Sequence, residues 1–311
     1  MAIPFLISTA VLVGLTLFLI HELRRPPGPM EWGQTPRWKK RVRVTLVSIP
    51  FLLGCICFWA FFIEPDRLVV RHETIAIENW PRELSDLRIA VISDIHVGGS
   101  FIDDQKVRLI VERTNQLQPE MIVILGDYMT SDRVEPEAFG ALLKDFRAPL
   151  GVYSVLGNHD WWYDGKRVRV GLEANGIKVL EDEVLEVKRG ATSVWLAGLA
   201  DLWTRAQRID QTIAKIPQDQ PIIALTHNPD IFPRVPQRVP LLLAGHTHGG
   251  QVSFPIIGAV IAPSDFGQRY VRGHVFENNH HLFVTTGIGT SIVPVRFNVP
   301  PEIVLLTVKS K

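Results

Sequence analysis

The chain has 311 residues and a formal net charge of +1, because 33 Lys and Arg nearly balance 32 Asp and Glu. This length exceeds one typical domain, so we expect one large domain with an appendage. Seven of the basic residues crowd into residues 21–43, which leaves a small excess of acidic residues elsewhere. Since a nucleic-acid partner requires a basic stripe that neutralises phosphates, we expect no nucleic-acid partner.

Two apolar runs dominate the first 66 residues of the chain. Residues 3–20 and 44–63 contain no charged side chain. At a rise of about 1.5 Å per residue, each helix would cross a hydrocarbon core of about 30 Å. Buried core helices are the alternative for both runs, and a cleaved signal peptide is a further alternative for the first. The sequence predicts a membrane anchor over residues 1–66 with two transmembrane helices.

The loop between the two runs carries the basic cluster of residues 21–43. Short loops rich in Lys and Arg stay in the cytoplasm, so both ends of the chain should lie outside it. The expected location is a bacterial inner membrane, crossed twice, with residues 67–311 on the extracytoplasmic side.

Residues 67–311 alternate short apolar runs with stretches of helical spacing. Five runs are typical of strands buried on both faces: 87–93, 121–125, 152–156, 221–225 and 240–244. Helical stretches at 102–117 and 135–147 separate the first three runs, which predicts a βαβαβ unit and an α/β fold. Later runs alternate more and suggest a second sheet of more antiparallel character: 184–188, 193–198, 282–286 and 302–308.

A polar motif follows each of the five buried runs. The motifs are SDIH at 93–96, GD at 126–127, GNHD at 157–160, THN at 226–228 and GHTH at 245–248. Ligands bind at the carboxyl ends of strands in open α/β sheets, so the motifs should converge. Their carboxylate, amide and imidazole donors suit hard or borderline divalent cations.

Each motif also has a purely structural interpretation. An Asp after a strand commonly caps the next turn, and a single His is more often structural than a ligand. Two His residues spaced i and i+2 between glycines, as in GHTH, seldom arise from packing alone. The whole ordered set therefore indicates a metal site.

In this order, the motifs resemble the signature of the calcineurin-like metallophosphoesterase superfamily, over roughly residues 85–290. The stretch GHTHGGQ at 245–251 and the ending at 287–308 are similar to its membrane-associated, YkuE/YaeI-like branch. The resemblance implies a four-layer αββα sandwich for residues 67–311, preceded by the two transmembrane helices.

By position, the resemblance also implies seven metal ligands, of which Asp94, His96 and His248 hold one ion, Asn158, His227 and His246 hold the other, and Asp127 bridges both. A shared carboxylate suits two cations about 3.5 to 4 Å apart, the spacing that clamps a phosphate. The cofactors would be two divalent ions, with Mn, Fe or Zn all compatible with these donors. A metal-bridging hydroxide would attack phosphorus.

Two further residues receive catalytic roles from the resemblance. His159 would stabilise developing charge and protonate the leaving oxygen. Asp160 would orient the His159 imidazole or raise its basicity, with a simple loop cap as the equal alternative.

Other side chains are weaker candidates for a role at the site. Trp161, Trp162 and Tyr163 could line a substrate groove or dip into a membrane interface, or they could pack their loop. Asp201 could contact the site. Arg296 could hold a phosphate, or form a surface salt bridge.

The favoured function is a membrane-anchored hydrolase of phosphomonoesters or phosphodiesters, and proximity to the bilayer favours a lipid-linked or envelope substrate. One alternative is an enzyme like the UDP-2,3-diacylglucosamine pyrophosphatase of lipid A synthesis, but the expected topology argues against it. Another alternative is a non-catalytic metal-binding membrane scaffold. A metal-dependent nuclease is a further alternative, and the missing basic surface argues against the nuclease.

Overall fold

The computed structural model describes residues 37–130 and 135–311, together with positions 14, 17, 18, 20 and 21. The chain divides into two compact units, Met1–Glu64 and Pro65–Lys311.

The longest described stretch of the first unit is an apolar helix. Helix α1 (Arg37–Phe58) continues into a π-helical turn at Trp59–Ile63. The segment Val44–Asp66 is long and apolar enough to cross a membrane, with a mean hydropathy of 2.4 and mostly exposed side chains. It matches the second predicted span in position. The first, residues 3–20, lies largely outside the described residues.

The second unit is built from two six-stranded sheets and a small hairpin. Its strands are β1 (Val69–Ile77), β2 (Leu87–Ile92), β3 (Met121–Ile124), β4 (Val152–Ser154), β5 (Ile177–Val179), β6 (Glu183–Arg189), β7 (Thr192–Gly198), β8 (Ile222–Leu225), β9 (Leu241–Ala244), β10 (Ser253–Phe254), β11 (Gly258–Ala259), β12 (Gly273–Glu277), β13 (His280–Val284) and β14 (Glu302–Ser310). Its helices are α2 (Asp104–Gln116), α3 (Pro136–Leu143), α4 (Asn158–Tyr163), α5 (Gly165–Glu173) and α6 (Ile209–Ile213).

The predicted βαβαβ unit is present. The first sheet has the order β1-β14-β2-β3-β4-β5, with β2 to β5 parallel to one another. Helices α2 and α3 connect β2, β3 and β4, and α2 begins where the Asp103 carboxylate accepts the Lys106 N–H at 2.8 Å. The α/β class expected from the sequence is therefore confirmed.

Two details of the second sheet differ from the sequence expectation. Its order is β12-β13-β9-β8-β7-β6, and the four central strands are parallel, so only the edge strands β12 and β6 are antiparallel. The run at 302–308 belongs to the first sheet, where β14 lies between β1 and β2. Alternation within a run reveals which faces are buried but does not identify the strands that flank it.

The two sheets pack face to face, and helices cover both outer faces. Strand residues alternate between the faces, so Leu241 and Leu243 point into the core between the sheets. Their neighbours Leu242 and Ala244 point outward and pack against α6. On the first sheet, α2, α3 and α5 cover the outer face in the same way. The result is a helix, sheet, sheet, helix sandwich.

Truncation of the core between the sheets should destabilise the whole second unit. Leu243 is fully buried there, and Leu243→Ala should cost about 2–5 kcal/mol of unfolding free energy through lost burial and a cavity. Val170→Ala, at an exposed position on α5, should change it by less than about 0.5 kcal/mol. Thermal unfolding of the full chain in detergent measures both. Equal midpoints for the two variants would contradict this assignment of the core.

Candidate metal centre

The five motifs meet at one end of the sandwich. Those after β2, β3 and β4 come from the first sheet, and those after β8 and β9 come from the second. The sheets are joined directly at this edge, because the His246 N–H donates to Asp94 Oδ2 at 3.1 Å. All seven side chains that the sequence singled out as ligands lie here and are at most 5% exposed.

Five of these seven residues have a positive φ. The values are 53° at Asp94, His96 and Asp127, 71° at His246 and 50° at His248. For a residue other than glycine this conformation costs of the order of 1–3 kcal/mol, and such residues cluster at functional sites. The strained turns curl the side chains toward a common centre, a feature that the sequence motifs do not reveal.

Glycines in the motifs allow the motif loops to approach one another closely. A Cβ atom on Gly157 would collide with the Asp127 carboxylate, and a Cβ on Gly245 would collide with the Ser93 hydroxyl. Any larger residue at either position would push the donor groups apart.

The first group of donors consists of Asp94, His96 and His248. The Nε2 atoms of His96 and His248 lie 3.1 Å apart, and Asp94 Oδ1 lies 3.4 Å from His248 Nε2. Two ligands about 2.1 Å from one ion would be separated by about 3.0 to 3.4 Å. Asp94 Oδ1 is buried and has no hydrogen-bond partner in the described part of the chain. This group could therefore hold a divalent cation.

The second group is centred on His227. Its Nε2 lies 3.1 Å from His246 Nδ1 and 3.2 Å from Asp127 Oδ2. Its other ring nitrogen, Nδ1, donates to the Leu125 carbonyl at 2.7 Å. That bond directs the Nε2 lone pair toward the other donors, as is usual for a metal-binding imidazole. Buried Asn158 Oδ1 has no described partner, and Asn158 lines a cavity together with Asp127 and His246, so it could complete the group.

Asp127 lies between the two groups. Its Oδ2 is 3.2 Å from His227 Nε2 and 3.7 Å from His96 Nε2. Its Oδ1 accepts the backbone N–H of His159 at 2.9 Å, which fixes the orientation of the carboxylate. One carboxylate is therefore within reach of both donor groups.

Burial and opposite charge together determine the protonation of these groups. Burial would raise the pKa of Asp127, but His227 outweighs this effect and holds that pKa well below its usual range. Burial would lower the pKa of His227, yet Asp127 raises it to about 10. Desolvation also raises the pKa of Asp94 to about 6 and lowers the pKa of His96 to about 4. These shifts favour an ionised Asp127 beside a protonated His227, so a cation that binds His227 Nε2 would compete with a proton for its lone pair.

His159 borders the donor groups and faces the cavity. Its ring packs edge-on against His96, with centroids 4.8 Å apart, and lies at the same distance from the Trp162 ring. Its Nε2 is 3.5 Å from Ser291 Oγ, and burial lowers the pKa of the imidazole. Its ring nitrogen is also near enough to His96 and Asp127 to act as a ligand, so distance alone permits either role.

Asp160 is engaged with the backbone. Its carboxylate accepts the N–H groups of Asp127 and Gly157 at 2.9 Å and that of Tyr128 at 2.8 Å. Among its described hydrogen bonds, none goes to the His159 ring. These contacts favour the loop cap over the orienting role, and they hold the two motif loops of the first sheet together.

Of the aromatic residues that follow His159, Trp161 packs against its own loop and Trp162 lines the cavity. Trp161 packs its loop, because its Nε1 donates to Glu181 at 2.8 Å and the Arg205 guanidinium lies 4.2 Å from its ring centroid. Trp162 is exposed and lines the cavity. No local sequence motif marks Trp203, yet its ring centroid lies 4.3 Å from that of His246.

Asp201 and Arg296 both have structural contacts. The Asp201 carboxylate accepts the N–H groups of Trp203 and Thr204 at 3.1 and 3.0 Å, and so caps the turn that carries Trp203. Arg296 is fully buried and donates to the carbonyls of Gly289 at 2.6 Å and Val299 at 3.0 Å. Arg296 therefore does not lie at the surface, and its described hydrogen bonds hold the loop before β14.

A cavity of about 440 Å³ opens from the donor groups to solvent. Its floor is formed by polar side chains of the motifs: Asp127, Asn158, His159, His246 and His248. Its walls are mostly apolar and come from Trp162, Trp203, Val260, Ile261, Ile292 and Val293. A phosphoester in this cavity would have polar donors below it and apolar side chains around it.

Binding of a divalent cation should release protons. Because the pKa of His227 is raised to about 10, a cation that takes its Nε2 must displace a proton at neutral pH. The apparent affinity should therefore fall by about tenfold for each pH unit below about pH 9, and more steeply below about pH 6, where Asp94 is also protonated. Calorimetric titration with Mn²⁺ in buffers of different ionisation enthalpy measures the released protons. A binding heat that is equal in all buffers would contradict the His227 assignment.

Comparison with known proteins agrees with this geometry. Residues 87–250 match the family model of calcineurin-like phosphoesterases. The chain is 30% identical over 259 residues to the uncharacterized metallophosphoesterase YkuE of Bacillus subtilis, which covers 81% of this chain and 89% of that protein. It is also 30% identical over 249 residues to the phosphodiesterase YaeI of Escherichia coli, covering 76% of this chain and 87% of YaeI.

A third relative comes from a vertebrate. The chain is 30% identical over 262 residues to a Danio rerio transmembrane protein with a metallophosphoesterase domain, covering 79% of this chain and 58% of that protein. The matched region includes all five motifs, whose donor groups could hold metal ions. The chain belongs to the calcineurin-like phosphoesterase family and is a metal-dependent phosphoester hydrolase.

Proposed function

We propose that the protein is a membrane-anchored phosphohydrolase that uses two divalent ions to cleave a phosphomonoester or phosphodiester of a lipid-linked or envelope substrate. The observation that carries the proposal is the position of Asp127, whose single carboxylate reaches the donor atoms of both groups. Two adjacent cation sites that share a carboxylate match the spacing that clamps a phosphate in two-metal hydrolases.

The seven candidate ligands would form two sets that share Asp127. Asp94, His96 and His248 would hold one ion, Asn158, His227 and His246 the other, and Asp127 both. Ions bound there would supply Lewis-acid activation of the phosphate and of the attacking water. The protein would supply the rest: an Asp127 carboxylate oriented by the His159 N–H, a His227 imidazole oriented by the Leu125 carbonyl, and a cavity with mostly apolar walls.

His159 would act on the leaving group. Its ring borders the donor groups, and its Nε2 faces the cavity near Ser291 Oγ. A protonated imidazole at this position can donate to the oxygen that departs from phosphorus. The lowered pKa of His159 in the protein by itself opposes protonation, so the negative charge of a bound phosphate would be needed to retain the proton.

Removal of this imidazole should impair catalysis and spare metal binding. We expect His159→Ala to lower kcat for a generic aryl phosphodiester by about 10²- to 10⁴-fold, the usual contribution of a general acid. Metal analysis should still find about two ions per chain. His72→Ala, at an exposed position on β1, is the matched control and should turn over at the rate of the unmodified protein.

The two measurements separate the possible roles of His159. Unchanged turnover in His159→Ala would overturn the leaving-group role. Loss of one ion would instead make His159 a ligand, which its distance to His96 and Asp127 permits.

The membrane anchor supports a substrate at the bilayer. The segment Val44–Asp66 could span a membrane by its length and composition, and it ends just before β1. A second span at residues 3–20, with the basic residues of 21–43 in the cytoplasm, would place the hydrolase unit on the extracytoplasmic side.

Fusion reporters test this topology. A reporter that is active only outside the cytoplasm should be active when fused after Lys311, because the basic loop holds the other side of the anchor in the cytoplasm. A matched fusion after residue 34, inside the basic loop, should be active only with a cytoplasmic reporter. Cytoplasmic activity at Lys311 would reverse the orientation and make a nucleotide-linked cytosolic substrate accessible.

A further inference from the structure

The second unit concentrates its exposed apolar side chains around the mouth of the cavity. Among the described residues of Pro65–Lys311, twelve large apolar side chains are exposed. Nine of them lie on residues 254–261, on residues 291–295, or at Trp162 and Trp203. We call these segments the mouth patch. Contiguous exposed apolar surface of this kind marks an interaction site in a soluble unit.

Two isoleucines of the mouth patch have a left-handed backbone and a fully exposed side chain, both of which are unfavourable for this residue type. Ile256 has a φ of 75° and Ile292 a φ of 63°, and both side chains are fully exposed, at 107% and 100%. A β-branched residue is a clear outlier in the left-handed region, where glycine or asparagine is far easier. Neither local conformation nor burial within the chain explains isoleucine at these tips. Their side chains are best explained by a partner outside the fold.

Hydrogen bonds hold the two loops that carry Ile256 and Ile292. The β10–β11 hairpin is tied down by Gln268, which accepts the Ala259 N–H at 3.1 Å and donates to the Ile257 carbonyl at 2.9 Å. The other segment is anchored where the Ser291 N–H donates to Gln251 Oε1 at 2.7 Å. Both segments are therefore held in place beside the metal centre.

The mouth patch is continuous with the cavity. Val260, Ile261, Ile292 and Val293 belong to both, and they share the cavity with His159. A surface that covers the mouth patch would therefore lie directly over the opening of the candidate metal centre.

We propose that the mouth patch docks on a lipid bilayer. The apolar segment Val44–Asp66 ends three residues before Val69, where β1 begins, so a spanning segment would tether this unit within a few residues of a membrane. Exposed Trp162 and Trp203 suit the boundary between water and hydrocarbon, and aliphatic loop tips bury favourably among headgroups. Docked in this way, and given the hydrolase proposed above, the cavity takes the phosphoester headgroup of a lipid.

Spin labels on the full chain in vesicles of phosphatidylcholine and phosphatidylglycerol test the docking without any need for catalysis. In a Cys55→Ser/Cys57→Ser background, nitroxides are attached to Ile256→Cys or Ile292→Cys, with exposed Val170→Cys on α5 as the matched control. At the two tips we expect loss of collisions with a water-soluble nickel chelate and retention of collisions with oxygen. The control label should collide freely with the chelate.

Other outcomes overturn the docking. Tips that are as accessible to nickel as the control would show that the mouth patch faces water. Dipolar broadening between labels on two chains, together with shielding from nickel, would identify a second copy as the partner instead. Lipid-shielded tips in a protein that cleaves no phosphoester would leave the docking intact and refute the proposed hydrolase activity.

A second variant connects the docking to the substrate. Ile256→Asn/Ile292→Asn suits the left-handed backbone and should fold. We expect the ratio of kcat/KM for a vesicle-borne long-chain phosphoester to that for a soluble aryl phosphoester to fall by about tenfold. Val170→Asn should leave the ratio unchanged. An unchanged ratio in the double variant would overturn the role of the tips in substrate delivery.

Discussion

The Asp127 carboxylate is the group on which the rest of the site depends. It is buried, it faces His227 and His96 with one oxygen, and it accepts the His159 N–H with the other. A buried charge is tolerated only when it is paired or bound to a cation, and here a protonated imidazole and potential cation sites provide both. The two sheets meet at one edge, where the Asp127 carboxylate lies within reach of both donor groups.

The surrounding contacts hold that edge in place. Asp160 accepts four backbone N–H groups and so fastens the loops after β3 and β4 to each other. Arg296 does the same for the loop before β14 by donating to its carbonyls. Asp160 thereby secures the strained turn at Asp127, because the cost of left-handed backbone must be offset by the rest of the fold. The geometry of the site therefore also depends on residues outside the two donor groups.

The cavity walls connect the chemistry to its setting. Polar donors form the floor of the cavity, whereas apolar side chains such as Ile261, Ile292 and two tryptophans form its walls and its rim. A hydrolase with such a rim, next in the chain to an apolar segment of spanning length, suits a substrate that carries its phosphoester at a bilayer surface. The apolar rim and the apolar helix are independent features of the sequence, and both favour the same environment.

The sequence alone determined the α/β class, the strands that precede each motif and the types of donor, because buried parallel strands are short apolar runs and metal ligands are polar residues at their ends. It could not assign β14 to its sheet, identify the backbone groups that the Asp160 carboxylate contacts, or show what surrounds Trp203 and Arg296. Those matters depend on neighbours distant in the chain, which hydropathy within a segment does not encode. The tertiary structure decided them, since it alone brings the turns of two sheets within hydrogen-bonding distance.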